Sequence, residues 1–179
     1  MTTSDWVKEY VKTIPDYPKS GIMFRDVTTV FEDDVAYPRL IDELVEKYRG
    51  KGINKVAGIE ARGFIHGGAI AHQLGVGFIT IRKQGKLPRD THNESYELEY
   101  GQDALEIHKD ALKKGDNILI VDDLIATGGT AIAALKLINK AGGKVTDACF
   151  IIDLPDLQGS KKLKELGCSV FSLAEYEGD

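Results

Sequence analysis

Apolar positions in this chain follow two patterns, helical spacing and short unbroken runs. Helical spacing predicts helices over residues 5–14, 34–48, 64–74, 131–140 and 160–166. Short apolar runs predict strands over residues 56–59, 76–81, 118–121, 148–152 and 169–173, and residues 96–100 alternate like an exposed strand. Because strands and helices alternate, we expect an α/β fold with a mostly parallel, doubly wound sheet.

Three segments do not follow either pattern. Residues 14–34 contain Pro15 and Pro18 and are expected to be irregular. Residues 82–94 are polar and rich in turn formers, and residues 104–112 fit a helix or a strand equally well. The length of 179 residues fits a single domain spanning residues 1–179, without an internal repeat or a linker.

A loop of small residues follows the strand at 118–121. Its members are Ala126, Thr127, Gly128, Gly129 and Thr130. Small side chains let backbone N–H groups converge on an anion at the positive end of the next helix, and the threonine hydroxyls add donors. The loop therefore predicts a binding site for one phosphate.

Two carboxylates precede this loop. Asp122 and Asp123 lie at the carboxyl end of a predicted parallel strand, where both can reach hydroxyl groups of a ligand. A phosphate beside two acceptors matches a ribose 5-phosphate. A nucleoside triphosphate fits less well, because Gly129 is followed by threonine and alanine rather than by the lysine of a Walker loop. The alternative is an ordinary strand-turn-helix.

Composition narrows the classes of function. A net charge of -5 argues against a nucleic-acid or membrane-surface binder, and the absence of a long apolar run argues against a membrane span. With no apolar leader pattern, we expect a cytoplasmic protein. Cys149 and Cys168 are expected to be reduced and buried. The histidines form no metal-binding pattern, and His92 and His108 are expected at the surface.

The polar segment carries a cluster of cations. Arg82, Lys83, Lys86 and Arg89 crowd into it, beside glycine and proline. Most such clusters are solvated surface loops. This one leaves a strand of the same sheet as the phosphate loop, so it could also cover a polyanion as a lid. Arg62, in the turn after another strand, adds a cation. So many cations suit a pyrophosphate better than a single sugar phosphate.

These residues resemble the type I phosphoribosyltransferase family, which uses the carboxylate–threonine–diglycine run to bind phosphoribosyl pyrophosphate. Four further segments are similar to the members of that family that act on adenine: residues 17–26, 61–65, 81–88 and 95–101. They span nearly the whole chain in the expected order. Ala61 stands where many relatives carry a polar residue, and Gln84 interrupts the basic run.

The resemblance implies transfer of the 5-phosphoribosyl group from phosphoribosyl pyrophosphate to N9 of adenine, giving AMP and pyrophosphate in purine salvage. It implies Mg²⁺ held mainly by substrate and water oxygens, and a homodimer. It also implies a base-binding hood over residues 14–34 and a flexible catalytic lid over residues 82–100.

The resemblance further implies roles for individual residues. The phosphoribosyl group would contact Asp122, Asp123, Ala126, Thr127, Gly128, Gly129 and Thr130. Pyrophosphate would be neutralised by Arg62, Arg82, Lys83 and Lys86, and adenine would be bound by Met23, Phe24, Arg25 and Leu124. Glu99 would stand near N7 of the base, so the implied catalytic set is Glu99, Arg62 and Lys83. From pattern alone, Phe24 fits the core and Glu99 the exposed side of a strand.

Two alternatives remain open. The same fold could act on xanthine, hypoxanthine or orotate, which present different hydrogen-bonding edges to the protein. A regulator that senses phosphoribosyl pyrophosphate and binds DNA or RNA is disfavoured, because the N-terminal segment is short and carries few cations.

Overall fold

This computed structural model describes residues 5–97 and 101–178. The strands in those ranges are β1 (Lys12–Pro15), β2 (Met23–Asp26), β3 (Lys55–Ile59), β4 (Gly77–Lys83), β5 (Thr91–Glu97), β6 (Gln102–His108), β7 (Asn117–Ile125), β8 (Lys144–Asp153) and β9 (Ser169–Glu175). The α-helices are α1 (Thr28–Phe31), α2 (Ala36–Tyr48), α3 (Gly63–Leu74), α4 (Gly129–Lys140) and α5 (Gly159–Glu165). Short 3-10 helices cover Asp5–Glu9 and Pro155–Leu157.

Seven strands form one sheet in the order β5-β6-β4-β3-β7-β8-β9. The five strands from β4 to β9 in that order are parallel, and β5 and β6 extend the sheet as an antiparallel hairpin. The predicted α/β fold with a mostly parallel sheet is confirmed. β7 lies inside the sheet between β3 and β8. Its pairing with β3 ends at Val121, and its pairing with β8 continues to Ile125, where the next loop begins.

Helices cover both faces of the sheet, and the alternation of β7 shows why. Leu119 and Val121 belong to the apolar core that includes α2 and α3, whereas Ile118 and Ile120 belong to the core that includes α4. Successive side chains of a strand point to opposite faces, so an unbroken aliphatic run requires a partner layer on each face. The sheet is therefore doubly wound, and its parallel strands end together at the edge where the phosphate loop lies.

The N-terminal segment differs from the prediction. A helix over residues 5–14 was expected, but the helical part ends at Glu9 and residues 12–15 form β1. β1 pairs antiparallel with β2, with Thr13 opposite Arg25, in a separate two-stranded sheet. That pairing partner lies a dozen residues away, and local apolar spacing cannot report it.

The polar segment also differs from the prediction. β4 continues through Arg82 and Lys83, which pair with Glu106 and Leu105 of β6. The undecided segment at 104–112 is largely strand, since β6 spans Gln102–His108. His108, expected at the surface, is 8% exposed. It is covered by Arg89, whose guanidinium donates to the His108 Nδ1 atom at 3.0 Å. The end of β4 is therefore set by its pairing with β6 and not by the polarity of Arg82 and Lys83.

Other expectations hold. Helices α2, α3, α4 and α5 and strands β3, β8 and β9 lie where the pattern predicted them, within a few residues. Both cysteines are free and buried. Among the described residues, no helix is both long and apolar enough to span a bilayer.

Candidate active site

The phosphate loop, residues 126–130, lies between the end of β7 and the first turn of α4. Gly128 has a φ of +83°, a left-handed conformation that glycine adopts without a steric cost. This turn brings the backbone to the N-terminus of α4, where N–H groups without helical partners favour an anion. A cavity of about 230 Å³ lies there, lined by Arg62 and residues 122–131. The structure thus brings together all seven residues predicted for the phosphoribosyl group.

The two carboxylates lie within β7, not beyond its end. Asp123 is 5% exposed, and its Oδ2 atom accepts a hydrogen bond from Nε of Arg62 in an ion pair. The backbone N–H of Asp123 donates to Oδ1 of Asp122 at 2.9 Å. Burial and the neighbouring charge of Asp123 raise the pKa of Asp122 well above its usual range. Asp122 therefore carries its negative charge at a cost.

Arg62 is the counter-ion of this pair. Burial alone would lower the pKa of its guanidinium, but the charges of Asp123, Asp122 and Asp26 raise it overall. Gly63, the next residue, allows the approach, because a Cβ atom there would lie 2.7 Å from the Val121 carbonyl oxygen. The start of α3 can therefore pack directly on β7. Arg62, predicted for pyrophosphate, thus lies against the carboxylates that are predicted to bind the sugar.

The other predicted pyrophosphate ligands are held by acidic side chains. Oε1 of Glu60 accepts from Arg82 at 3.1 Å and from Lys86 at 2.9 Å, and Oε2 accepts from the backbone of Lys83 at 2.9 Å. Burial opposes the ionised form of Glu60, but these bonds outweigh it and lower its pKa to about 2. Nζ of Lys83 pairs with Asp103 at 3.0 Å, which raises the pKa of the lysine.

Sequence reasoning missed Glu60, Asp103 and Tyr96. All three lie at the basic cluster: Glu60 and Tyr96 line a second cavity of about 250 Å³, together with Lys83 and both carboxylates of β7. Asp103 neutralises Lys83, and the Tyr96 hydroxyl donates to Asp103 at 3.4 Å. Glu60 could have been found, since it follows the predicted strand at 56–59 at the same sheet edge as Asp122. Asp103 could not, because its segment had no assigned structure.

The predicted adenine-binding residues do not all meet. Met23, Phe24 and Arg25 belong to β2, a regular strand within the segment 14–34 that was expected to be irregular, and none of them lines the 230 Å³ cavity. Phe24 is half-buried and makes an edge contact with Tyr17, with ring centroids 5.1 Å apart. The guanidinium of Arg25 lies 4.4 Å from the centre of the Tyr176 ring. Leu124, by contrast, lines the cavity.

Glu99, predicted to be catalytic, lies outside the described residues. The described part of the chain contains no group of three or more histidine, cysteine, aspartate or glutamate side chains that could hold a metal ion. The site therefore consists of an anion cradle, a carboxylate pair and a cluster of cations at one sheet edge. Such a site can bind a phosphorylated sugar that carries a second polyanionic group.

Known proteins are similar to this chain in sequence and fold. A model of the phosphoribosyl transferase domain matches residues 32–173. The adenine phosphoribosyltransferase of Brucella anthropi is 61% identical over 173 residues, which are 97% of this chain and 96% of that protein. The crystal structure of adenine phosphoribosyltransferase from Thermoanaerobacter pseudethanolicus has 45% identity and a TM-score of 0.91, covering 97% of this chain and 100% of the other. The Saccharomyces cerevisiae enzyme, complexed with adenine and an imino-altritol bisphosphate, has 38% identity and a TM-score of 0.89, covering 96% and 98%.

Proposed function

This chain belongs to the adenine phosphoribosyltransferase family, and from that membership and its site geometry we infer its reaction. It transfers the 5-phosphoribosyl group from phosphoribosyl pyrophosphate to adenine, giving AMP and pyrophosphate. The observation that carries this inference is the pairing of the phosphate loop with two carboxylates in one 230 Å³ cavity. That pairing suits a pentose 5-phosphate, and adenine phosphoribosyltransferases align with the chain over 96–97% of its length.

We propose that residues 126–130 bind the 5′-phosphate and that Asp122 and Asp123 accept from the ribose hydroxyls. Support comes from the free N-terminal end of α4 and from the raised pKa of Asp122. A carboxylate whose charge is disfavoured gains most from hydroxyl donors that stabilise it. Arg62, already paired with Asp123, would hold that carboxylate in position while its remaining donors face the pyrophosphate.

Arg82, Lys83 and Lys86 would neutralise the departing pyrophosphate, with Arg62. In the described residues each of these three cations is paired with a carboxylate of the protein. Pyrophosphate would therefore replace Glu60 and Asp103 as the partner of these cations. This exchange keeps the cationic side chains near the site before substrate arrives. Their role in the reaction is to stabilise negative charge that develops on the leaving group, while the loop holds the sugar in line. Within residues 82–100, the proposed lid, the cations belong to β4 and to the turn that follows it.

For the base, we propose that the hood, residues 14–34, covers adenine, with Phe24 and Leu124 on opposite faces of the ring. Backbone groups near Met23 and Arg25 would read its edge, and Glu99 would move the N7 proton. Support comes from Leu124, which lines the cavity, and from Asp26 of the hood. Asp26 is near enough to Arg62 for its charge to raise the pKa of that guanidinium, so this part of the hood is near the carboxylates of β7. A main-chain acceptor that receives the amino group of adenine would reject an oxo group in its place.

Mg²⁺ fits these residues as a substrate-bound ion. Asp122 and Asp123 would supply carboxylate oxygens, which Mg²⁺ prefers, and a bound cation would offset the burial and the neighbouring charge that raise the pKa of Asp122. No larger protein ligand cluster exists in the described ranges, so ribose, pyrophosphate and water oxygens would complete the coordination. When bound, the ion would supply charge neutralisation to the pyrophosphate.

We further propose a cytoplasmic homodimer that needs neither nucleic acid nor membrane. Free, buried Cys149 and Cys168 suit a reducing compartment. Val35 and Ile65 are 66% and 45% exposed, and the Tyr37 hydroxyl, donating to the Ile65 carbonyl at 3.2 Å, joins their elements into one surface. An exposed apolar surface of this kind suits contact with a second copy. Light scattering tests this by comparing the mass in solution of the wild type with that of Val35→Asp, which places a charge on this surface. A monomeric wild type would contradict the proposal.

A panel of free bases tests the reaction. Adenine, hypoxanthine, xanthine and orotate are each incubated with phosphoribosyl pyrophosphate and Mg²⁺, and nucleotide formation is followed by chromatography. Adenine should react at least about 100-fold faster than the others, because each mispaired polar group in a buried site costs about 1–3 kcal/mol. A faster reaction with another base would change the assigned substrate. No nucleotide from any base would refute the reaction itself.

A further inference from the structure

The phosphate loop rests on a segment that the proposed function does not use. We define the loop support as residues 158–162, which include the first turn of α5. The sequence indicated no more than a charged helix there. In the structure this segment packs against the loop, and none of its residues lines the 230 Å³ cavity.

Two consecutive carbonyl groups of the loop are bound by the loop support. The backbone N–H of Gly159 donates to the Ala126 carbonyl at 3.0 Å, and Nζ of Lys162 donates to the Thr127 carbonyl at 3.0 Å. In a planar trans peptide, the carbonyl and the following N–H point in opposite directions. Holding these carbonyls on the support therefore turns the N–H groups of Thr127 and Gly128 away from it, toward the cavity.

The backbones of the loop and the support are in direct contact. A Cβ atom on Gly159 would lie 2.3 Å from the Ala126 carbonyl oxygen and 2.7 Å from the Gly128 nitrogen. Conversely, a Cβ atom on Gly128 would lie 2.9 Å from the Cα atom of Gly159. These distances are shorter than van der Waals contact, and the obstructing atoms are backbone. Each glycine is therefore required by the other, and moving the support moves the loop.

The loop support is itself fixed to the sheet. Ser160 donates to Oδ2 of Asp153 at 2.5 Å, and both side chains are buried. Asp153 ends β8, beside the end of β7 from which the loop departs. Gln158 has a φ of +63°, which turns the chain so that the Gly159 N–H faces the loop. The loop support is thus anchored to the end of β8 by a buried hydrogen bond.

We propose that Gly159 and Lys162 are positioning residues that set the orientation of the phosphate-binding N–H groups. They touch no substrate and act through the backbone of residues 126–128. The inference rests on the proposed function, since it assigns these residues to binding of the 5′-phosphate. It predicts that their replacement weakens the phosphate contribution to binding and leaves recognition of the base intact.

The test compares Gly159→Ala with Gly68→Ala, a matched change in α3 where a Cβ atom meets open space. KM is measured separately for phosphoribosyl pyrophosphate and adenine, and affinity is measured for AMP and adenosine, which differ by the phosphate. Gly159→Ala should lower kcat/KM for phosphoribosyl pyrophosphate on the order of 100-fold, as expected for a misplaced binding group. AMP affinity should fall and adenosine affinity should not. Gly68→Ala should match wild type.

Lys162 provides an independent arm in case Gly159→Ala does not fold. Lys162→Met should raise KM for phosphoribosyl pyrophosphate severalfold at unchanged thermal stability, and Lys162→Arg should restore it by keeping a donor. Unchanged phosphoribosyl pyrophosphate kinetics in Lys162→Met, or equal losses of AMP and adenosine affinity in either variant, would overturn the inference. A wild type that does not use phosphoribosyl pyrophosphate would refute the proposed function instead.

Discussion

Asp122→Asn should stabilise the fold at neutral pH while weakening use of phosphoribosyl pyrophosphate. The pKa of Asp122 is raised by burial and by Asp123, so ionisation of this carboxyl group costs free energy in the folded protein. Asparagine is neutral at every pH and has nearly the same shape. Its side-chain oxygen can still accept the 2.9 Å bond from the Asp123 backbone N–H. The substitution therefore removes the cost of the charge with little change in packing.

The sign and size follow from proton linkage. Between the ordinary aspartate pKa, about 3.9, and the raised value, the native state binds one more proton than the unfolded state. Each pH unit in that window therefore removes about 1.4 kcal/mol from the free energy of unfolding of the wild type. The stability advantage of Asp122→Asn should grow with pH by up to that slope, then level off above the raised pKa. Each 1 kcal/mol raises Tm by about 2–4 °C in a chain of this size.

Urea unfolding over a pH series from 4 to 8 measures this advantage. Asp34→Asn, at an exposed position, is the matched control and should leave the pH dependence unchanged. In steady-state kinetics, loss of a charged acceptor should cost about 1–2 kcal/mol, or roughly 5–30-fold in KM for phosphoribosyl pyrophosphate. A variant that is less stable at every pH, or an advantage independent of pH, would refute the account of Asp122.

Three further changes test neighbouring parts of the site. Gly128→Ala should remove most activity because its Cβ atom would meet the backbone of Gly159. Gly129→Ala should keep more activity, because its Cβ atom would lie 3.5 Å from the nearest atom, the Glu97 carbonyl oxygen. Equal kcat/KM values in the two variants would contradict this. Ser160→Ala should lower the free energy of unfolding by about 1–3 kcal/mol, since it leaves a buried carboxylate without its donor, and an unchanged urea midpoint would argue against that bond. Glu60→Gln should lose part of the acid sensitivity of the wild type: the lowered pKa of Glu60 stabilises the fold above pH 4.5, and this contribution is lost as pH falls toward 2. Identical Tm profiles of variant and wild type below pH 4.5 would exclude this contribution.

Local pattern was sufficient for the parts of the fold that depend on neighbouring residues. Apolar runs buried on both faces predicted the parallel strands, and the small residues after β7 predicted an anion cradle at a helix start. The seven residues predicted to bind the phosphoribosyl group are contiguous or nearly so, which is why one segment of sequence could propose them and why they share one cavity. The prediction was wrong where structure depends on remote pairing, as in β1 and the end of β4, and for the same reason it left the segment that forms β6 undecided.

The sequence by itself determined the doubly wound sheet, the phosphate loop and the paired carboxylates. Each of these features depends on the spacing and the type of residues that lie within about a dozen positions of one another in the chain. Tertiary structure alone decided that Glu60 holds the basic cluster, that Arg62 neutralises Asp123, and that Gly159 supports the loop. The ion pairs join residues that are 22 to 61 positions apart in the sequence. The contact of Gly159 with the loop is between two backbones and involves no side chain that a sequence pattern could reveal. Their physical origin is the convergence of parallel strand ends at one edge, which brings charges and backbones together without any local pattern.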